Sequence, residues 1–67
     1  MQLTIVLKNG SVARVSEFEK INYFYKDSVT INSDFSNLFL RDETTYSFIG
    51  KNKVVIKGIE ISYIDIQ

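Results

Sequence analysis

Near the start of the chain, two runs of branched and aliphatic residues, LTIVL and SVARV, flank the dipeptide Asn9-Gly10. Asn-Gly between such runs is the strongest short signal for a β-hairpin, because a two-residue turn with positive φ at both positions matches the right-handed twist of its strands. A turn of that type pairs Leu7 with Val12. Both faces of the strand pair are then partly apolar, which is typical of a small barrel or roll.

The rest of the chain continues in short β-rich runs. KINYFYK and SVTIN flank a turn at residues 26–28 and predict a second hairpin, while TTYSFI, KVVIK and ISYIDI predict three more strands, with a turn at residues 50–52. Residues 35–41 fit either a strand or a short helix, and we favour the strand because TTYSFI follows across a turn. The pattern predicts an all-β fold, a small barrel or roll of about six to eight short antiparallel strands.

Composition supports this fold class. Val, Ile, Thr, Tyr and Phe make up 28 of 67 residues, against only 8 for Ala, Leu, Gln and Met, and branched and aromatic side chains fit a pleated sheet better than a helix. A chain of 67 residues allows a single domain, residues 1–67, near the lower size limit for folding without disulfides or metal. The predicted core consists of Leu3, Ile5, Leu7, Val12, Ile21, Val29, Ile31, Phe48, Val54, Ile56, Ile64 and Ile66.

A constant offset of 43 residues aligns KNGSVARVSEFEKINY (8–23) with KNKVVIKGIEISYIDI (51–66), with five identities in sixteen positions. Each copy has the pattern of a turn, a strand, a short corner containing a glutamate and another strand. One interpretation is an internal repeat whose two units pack with pseudo-twofold symmetry. The other is that this many identities arise from choosing the best offset.

The residue types exclude several kinds of chemistry. The chain contains no His and no Cys, so it has no imidazole base, thiolate nucleophile or zinc-binding thiol. Carboxylates occur in pairs at Glu17/Glu19 and Asp42/Glu43, but neither pair has the apolar context that catalytic carboxylates need, and we interpret both as solvated. We therefore expect no catalytic residues, no metal and no cofactor, and we predict that the protein is not an enzyme.

Nucleic acid binding is an alternative that the charge balance does not favour. Eight basic and eight acidic residues cancel, whereas phosphate binding depends on neutralising positive charge. A modest basic patch of Lys8, Lys51, Lys53 and Lys57, with Arg14 beside it, forms only if the two repeat turns lie at the same end of the fold. Small β-barrels do bind oligonucleotides with such patches and exposed aromatic rings.

The run Tyr23-Phe24-Tyr25 is the predicted binding feature. Alternation along a strand places Phe24 on the opposite face from the two tyrosines, so one face belongs to the core and the other must be covered. Because aromatic residues are enriched at interface cores, we expect Tyr23 and Tyr25 to contact a partner. The competing interpretation makes both tyrosines core residues of a strand that is buried on two faces.

Self-association is a further expectation. A chain of this size buries only about 60% of the surface that its unfolded state exposes. We therefore predict a homodimer or small homo-oligomer, formed when the edge of ISYIDI or of KINYFYK pairs with a second copy. No apolar run approaches the roughly 18 residues of a membrane span, and LTIVL is too short for a signal peptide, so we expect a cytoplasmic protein without a membrane partner.

Phe, Tyr, Ile, Lys and Asn account for 29 of the 67 residues, the bias of a gene rich in A and T. In this bias, in its small size and in its closing ISYIDIQ, the chain resembles the short uncharacterised proteins of phages and prophages of low-GC Gram-positive bacteria. The resemblance implies a non-enzymatic protein that binds and occludes a bacterial host or defence protein. Besides nucleic acid binding, the remaining alternatives are a structural or assembly subunit and a small-molecule sponge.

Overall fold

The computed structural model describes residues 1–35, 38 and 40–67. Within these residues the chain forms seven strands and no α-helix, so the predictions of an all-β fold and of six to eight strands are confirmed. The strands are β1 (Leu3–Leu7), β2 (Val12–Val15), β3 (Lys20–Tyr25), β4 (Asp27–Ile31), β5 (Thr45–Ile49), β6 (Lys53–Lys57) and β7 (Ile61–Ile66).

The strands form two antiparallel sheets. The first has the order β2-β1-β7 and the second the order β4-β3-β5-β6. Edge strands β2 and β6 approach each other without pairing, and the Asn52 side chain bridges this approach. Its Oδ1 accepts a hydrogen bond from Ser16 N (2.9 Å) and its Nδ2 donates to Arg14 O (2.8 Å). Strand pairing does not close the described residues into a barrel, so that part of the prediction is not confirmed.

The same order of strands occurs in the two parts of the chain that the offset aligned. Strands β1 and β2 form one hairpin and β5 and β6 another, while β3 pairs with β5 and β7 pairs with β1. The contacts of the turns are also reciprocal. Lys8 N donates to Glu60 O (2.9 Å), and Lys51 N donates to Ser16 O (2.8 Å). Each three-strand unit is therefore completed by the third strand of the other, and β4 is an addition beside β3.

The first hairpin forms at Asn9-Gly10, but its register differs by one residue from the prediction. Leu7 N donates to Ser11 O at 2.8 Å, and within this turn only Gly10 has a positive φ, of 92°. These features describe a three-residue loop with glycine at the bulge position, not a two-residue turn. Val12 consequently pairs with Val6 instead of Leu7. A one-residue shift reverses the two faces of a strand, and Val12 is 49% exposed, so its assignment to the core was wrong.

The core lies where the inner faces of the two sheets meet. Four predicted core residues are fully buried: Leu3, Ile5, Ile21 and Phe48. Five others pack partly buried against them: Leu7, Val54, Ile56, Ile64 and Ile66. Val29 and Ile31 are half-buried on β4. Four further apolar residues are buried although they were not among the predicted core residues: Val15, Phe18, Tyr46 and Ile61.

The segment between β4 and β5 contributes apolar side chains to the core without forming a strand in its described part. The strand expected here is wrong for Leu38 and Leu40, and Phe39 lies outside the described residues. Phe35, Leu38 and Leu40 pack against the core, and the Phe35 ring lies 5.0 Å from the Phe18 ring. The apolar residues whose spacing suggested a strand therefore cover the core.

We predict that Ile5→Asp prevents folding. Ile5 is fully buried in the central strand of the first sheet, and an unpaired carboxylate there costs several kcal/mol, a large part of the stability of a small domain. Val12→Asp introduces the same charge on the adjacent strand and should retain the fold, because Val12 is about half exposed. Far-UV circular dichroism and urea titration of both variants test this. An unfolded Val12→Asp variant would support the two-residue turn.

Candidate binding face

Strand β3 is central in the second sheet, between β4 and β5. Both of its edges are paired, so KINYFYK does not offer the free edge expected for self-pairing. Tyr23 lies on the inner side with buried Ile21 and packs against the core, with its ring 5.0 Å from the ring of Tyr46. Phe24 points to the other side and is 68% exposed. The aromatic ring that β3 presents on this outer side is therefore that of Phe24, the residue before the last of the strand.

Tyr25 ends β3 and is partly exposed. The Arg41 guanidinium lies over its ring at 4.1 Å from the centroid, and the Lys26 ammonium lies at 5.6 Å. Both are cation–π contacts within the chain. Tyr23 thus packs against the core and Tyr25 carries internal contacts, while their role in binding a partner remains a prediction.

The outer side of the second sheet is a continuous surface, which we call the open face. The strand register assigns eleven side chains to it: Lys20, Asn22, Phe24, Ser28, Thr30, Thr45, Ser47, Ile49, Lys53, Val55 and Lys57. Three are lysines and none is acidic, although the chain as a whole is neutral. Phe24 and Val55 are both more than half exposed. The open face therefore combines positive charge with apolar surface.

Polar groups surround Phe24 on this face. A groove of about 510 Å³ runs beside the ring and is lined by the hydroxyl residues Ser28, Thr30, Thr45 and Ser47. Asn22 lies in the same groove, and its buried Oδ1 has no hydrogen-bond partner in the described residues. Thr30 and Ser47 lie directly opposite Asn22 on the neighbouring strands. The groove thus presents groups that can both donate and accept hydrogen bonds.

The predicted basic patch is divided in the structure. Lys53 and Lys57 lie on the open face, where they are joined by Lys20, which the sequence analysis did not select. Lys51 lies two residues before the start of β6, whereas Lys8 N donates a hydrogen bond to Glu60 O beyond the other end of β6. The two repeat turns thus lie at opposite ends of β6, and the condition for a patch of all four lysines is not met.

The carboxylate pairs Glu17/Glu19 and Asp42/Glu43 are exposed. In the described part of the chain, no group of three or more acidic side chains is arranged to hold a metal ion. No helix among the described residues is long and apolar enough to cross a bilayer. Comparisons with protein-family models, with curated proteins and with solved structures find no match to this chain.

The two tyrosines should respond differently to substitution. Tyr23→Ser removes a ring that packs against Tyr46 and should lower the free energy of unfolding by about 2 kcal/mol or more. Tyr25→Ser removes a partly exposed ring and should cost less than about 1 kcal/mol. Thermal denaturation followed by circular dichroism measures both. An unchanged midpoint for Tyr23→Ser would show that this tyrosine belongs to a surface.

Proposed function

We propose that the chain is a binding protein, not an enzyme, and that the open face is its contact surface. The observation that carries this proposal is the 68% exposure of Phe24 on a sheet side with three lysines and no carboxylate. An exposed ring on a rigid sheet has little conformational freedom to lose, so covering it contributes binding free energy at small entropic cost. Hydroxyl groups beside it supply directional contacts.

The resemblance to phage proteins implies a specific form of this proposal, in which the chain binds and occludes a bacterial host or defence protein in the cytoplasm. Phe24 and Val55 support it as exposed apolar anchors on the open face, Phe24 on the central strand β3 and Val55 on the edge strand β6. A standard protein interface uses about 20–30 residues on each side, roughly twice what the open face provides. A protein partner must therefore also engage a strand edge or a neighbouring loop.

A second part of the proposal is that the repeated order of elements reflects duplication of one three-strand unit. Two independent features support it. The pairing is reciprocal, because β3 pairs with β5 and β7 pairs with β1. Lys8 N and Lys51 N also each donate to the corner of the other unit, at Glu60 O and at Ser16 O, one residue before the Glu17 that the offset aligns with Glu60.

Photo-crosslinking tests the contact surface. A photoreactive phenylalanine derivative at position 24 should capture a macromolecule from a lysate of a low-GC Gram-positive bacterium, whereas the same derivative at position 12 should not. The two positions are matched, because Phe24 and Val12 are both exposed apolar residues on strands of different sheets, 68% and 49% exposed. Nuclease and protease digestion then identify the class of the captured molecule. Equal capture at both positions, or none at position 24, contradicts the open face as the contact surface.

We further propose that β7 mediates self-association. This strand pairs with β1 alone among the described strands, and a free strand edge is the simplest route to a symmetric dimer. Size exclusion with light scattering should give a dimer mass at tens of micromolar for the unmodified chain and for Tyr63→Phe. Tyr63→Lys should give a monomer, because lysine on an edge strand opposes pairing. A monomer mass for the unmodified chain contradicts this proposal.

A further inference from the structure

We propose that the open face binds single-stranded RNA, with one base stacked on Phe24 and phosphates neutralised by Lys20, Lys53 and Lys57. This inference rests on the proposed function only in making the open face the contact surface, and it names RNA as the partner of that face in place of a host or defence protein. A sheet whose exposed aromatic residues stack on bases is a recurrent mode of single-stranded RNA recognition.

Charge is distributed unevenly over the surface of the protein. The chain has eight basic and eight acidic residues, but three of the basic residues share the open face with no carboxylate. The rest of the chain therefore holds five basic residues against eight acidic ones. A polyanion is therefore attracted to the open face and repelled by the rest of the surface, which carries a net negative charge. Although the net charge of the chain is zero, the open face is positively charged and complementary to phosphate.

The three lysines of the open face lie in two rows of the sheet. Lys53 and Lys57 are four residues apart on β6, about 13 Å along the strand. Lys57 shares a row with Thr45, and Lys20 and Lys53 share another row through Ile49. A single strand that runs along β6 can therefore place phosphates against both rows. Phe24 lies two strands from β6, about 10 Å away, within reach of a base that turns inward from such a path.

The groups around Phe24 favour RNA over DNA and over a protein. Four hydroxyl side chains line the groove beside the ring, where the ribose of a stacked nucleotide would lie. The ribose 2′-hydroxyl both donates and accepts hydrogen bonds, and DNA lacks it. The face is also small for a protein interface, whereas a short stretch of single strand needs only a basic surface and an aromatic ring for stacking.

Fluorescence anisotropy tests the proposal directly. The probe is a labelled single-stranded RNA of mixed sequence and about ten nucleotides, compared with DNA of the same sequence. We expect saturable binding to RNA at low salt and weaker binding to DNA. Three phosphate contacts predict that the logarithm of the binding constant falls with the logarithm of salt concentration at a slope of about −2, since each contact on a single strand contributes about −0.7.

Matched variants separate stacking from charge. Phe24→Ser should weaken RNA binding about tenfold or more, with little change in the salt slope, whereas Val12→Ser, at an exposed position of the first sheet, should have no effect. The double variant Lys53→Gln/Lys57→Gln should reduce the salt slope by about 1.4. Lys8→Gln/Lys51→Gln removes the same charge from the two turns and should leave the slope unchanged. Circular dichroism of each variant verifies that the fold is retained.

Three results would overturn the assignment of RNA: no binding at low salt, equal binding of RNA and DNA, or equal loss of binding in the two double-lysine variants. These results are distinguishable from failure of the proposed function. If RNA does not bind but position 24 still crosslinks to a protein, the open face remains the contact surface and its partner is a protein. If position 24 captures nothing, both proposals fail.

Discussion

Each three-strand unit of this fold lacks a strand that only the other unit supplies. Strand β3 leaves its own hairpin to pair with β5, and β7 returns across the molecule to pair with β1. Core residues from both units, among them Ile5 and Phe48, then meet in one cluster. An isolated hairpin is marginally stable in water, so neither unit forms its sheet alone. Folding of this chain therefore depends on pairing between residues that are far apart in sequence, which favours a cooperative transition.

The small size of the chain also explains why the outer face of the second sheet remains uncovered. A chain of 67 residues has enough apolar side chains for one core, and the core occupies the space between the two sheets. The second sheet is wider than the first because β4 extends it beyond β3. Its outer side consequently faces solvent, and most of its residues are the hydroxyl, amide and ammonium side chains that water tolerates. The exceptions are Ile49, which is half-buried, and Phe24 and Val55, which are more than half exposed and are therefore the candidates for binding.

The limits of sequence analysis are clearest on β3. Ile21 was assigned correctly to the core, and residues two apart share a face of a strand, so the sequence already placed Tyr23 inward and Phe24 outward. That signal was available but was outweighed by the expectation that tyrosines occupy interfaces. The binding face could thus have been predicted in part, because the alternation that buries Ile21 also exposes Phe24.

Other features depend on information that a single sequence does not hold. The register of the first hairpin follows from the backbone angle of Gly10, since Asn-Gly is compatible with loops of two or of three residues. Phe18 lies in a corner outside any strand periodicity, and its burial depends on Phe35 packing against it. The clustering of Lys20 with Lys53 and Lys57 requires the order of strands across the sheet, because β6 reaches β3 only through β5.

Each unit is completed by a strand of the other unit. The connection between the units therefore determines whether this completion occurs within one chain or between two chains. In effect the fold is a strand-swapped dimer whose two halves are joined covalently by β4 and residues 32–44. That connection keeps the two halves at high effective concentration, so that β7 finds β1 of its own chain. A connection too short to permit this return would leave β7 to complete the β1–β2 hairpin of a second molecule. Two chains would then build two copies of the same fold between them, by domain swapping and with no new contact except in the connection itself.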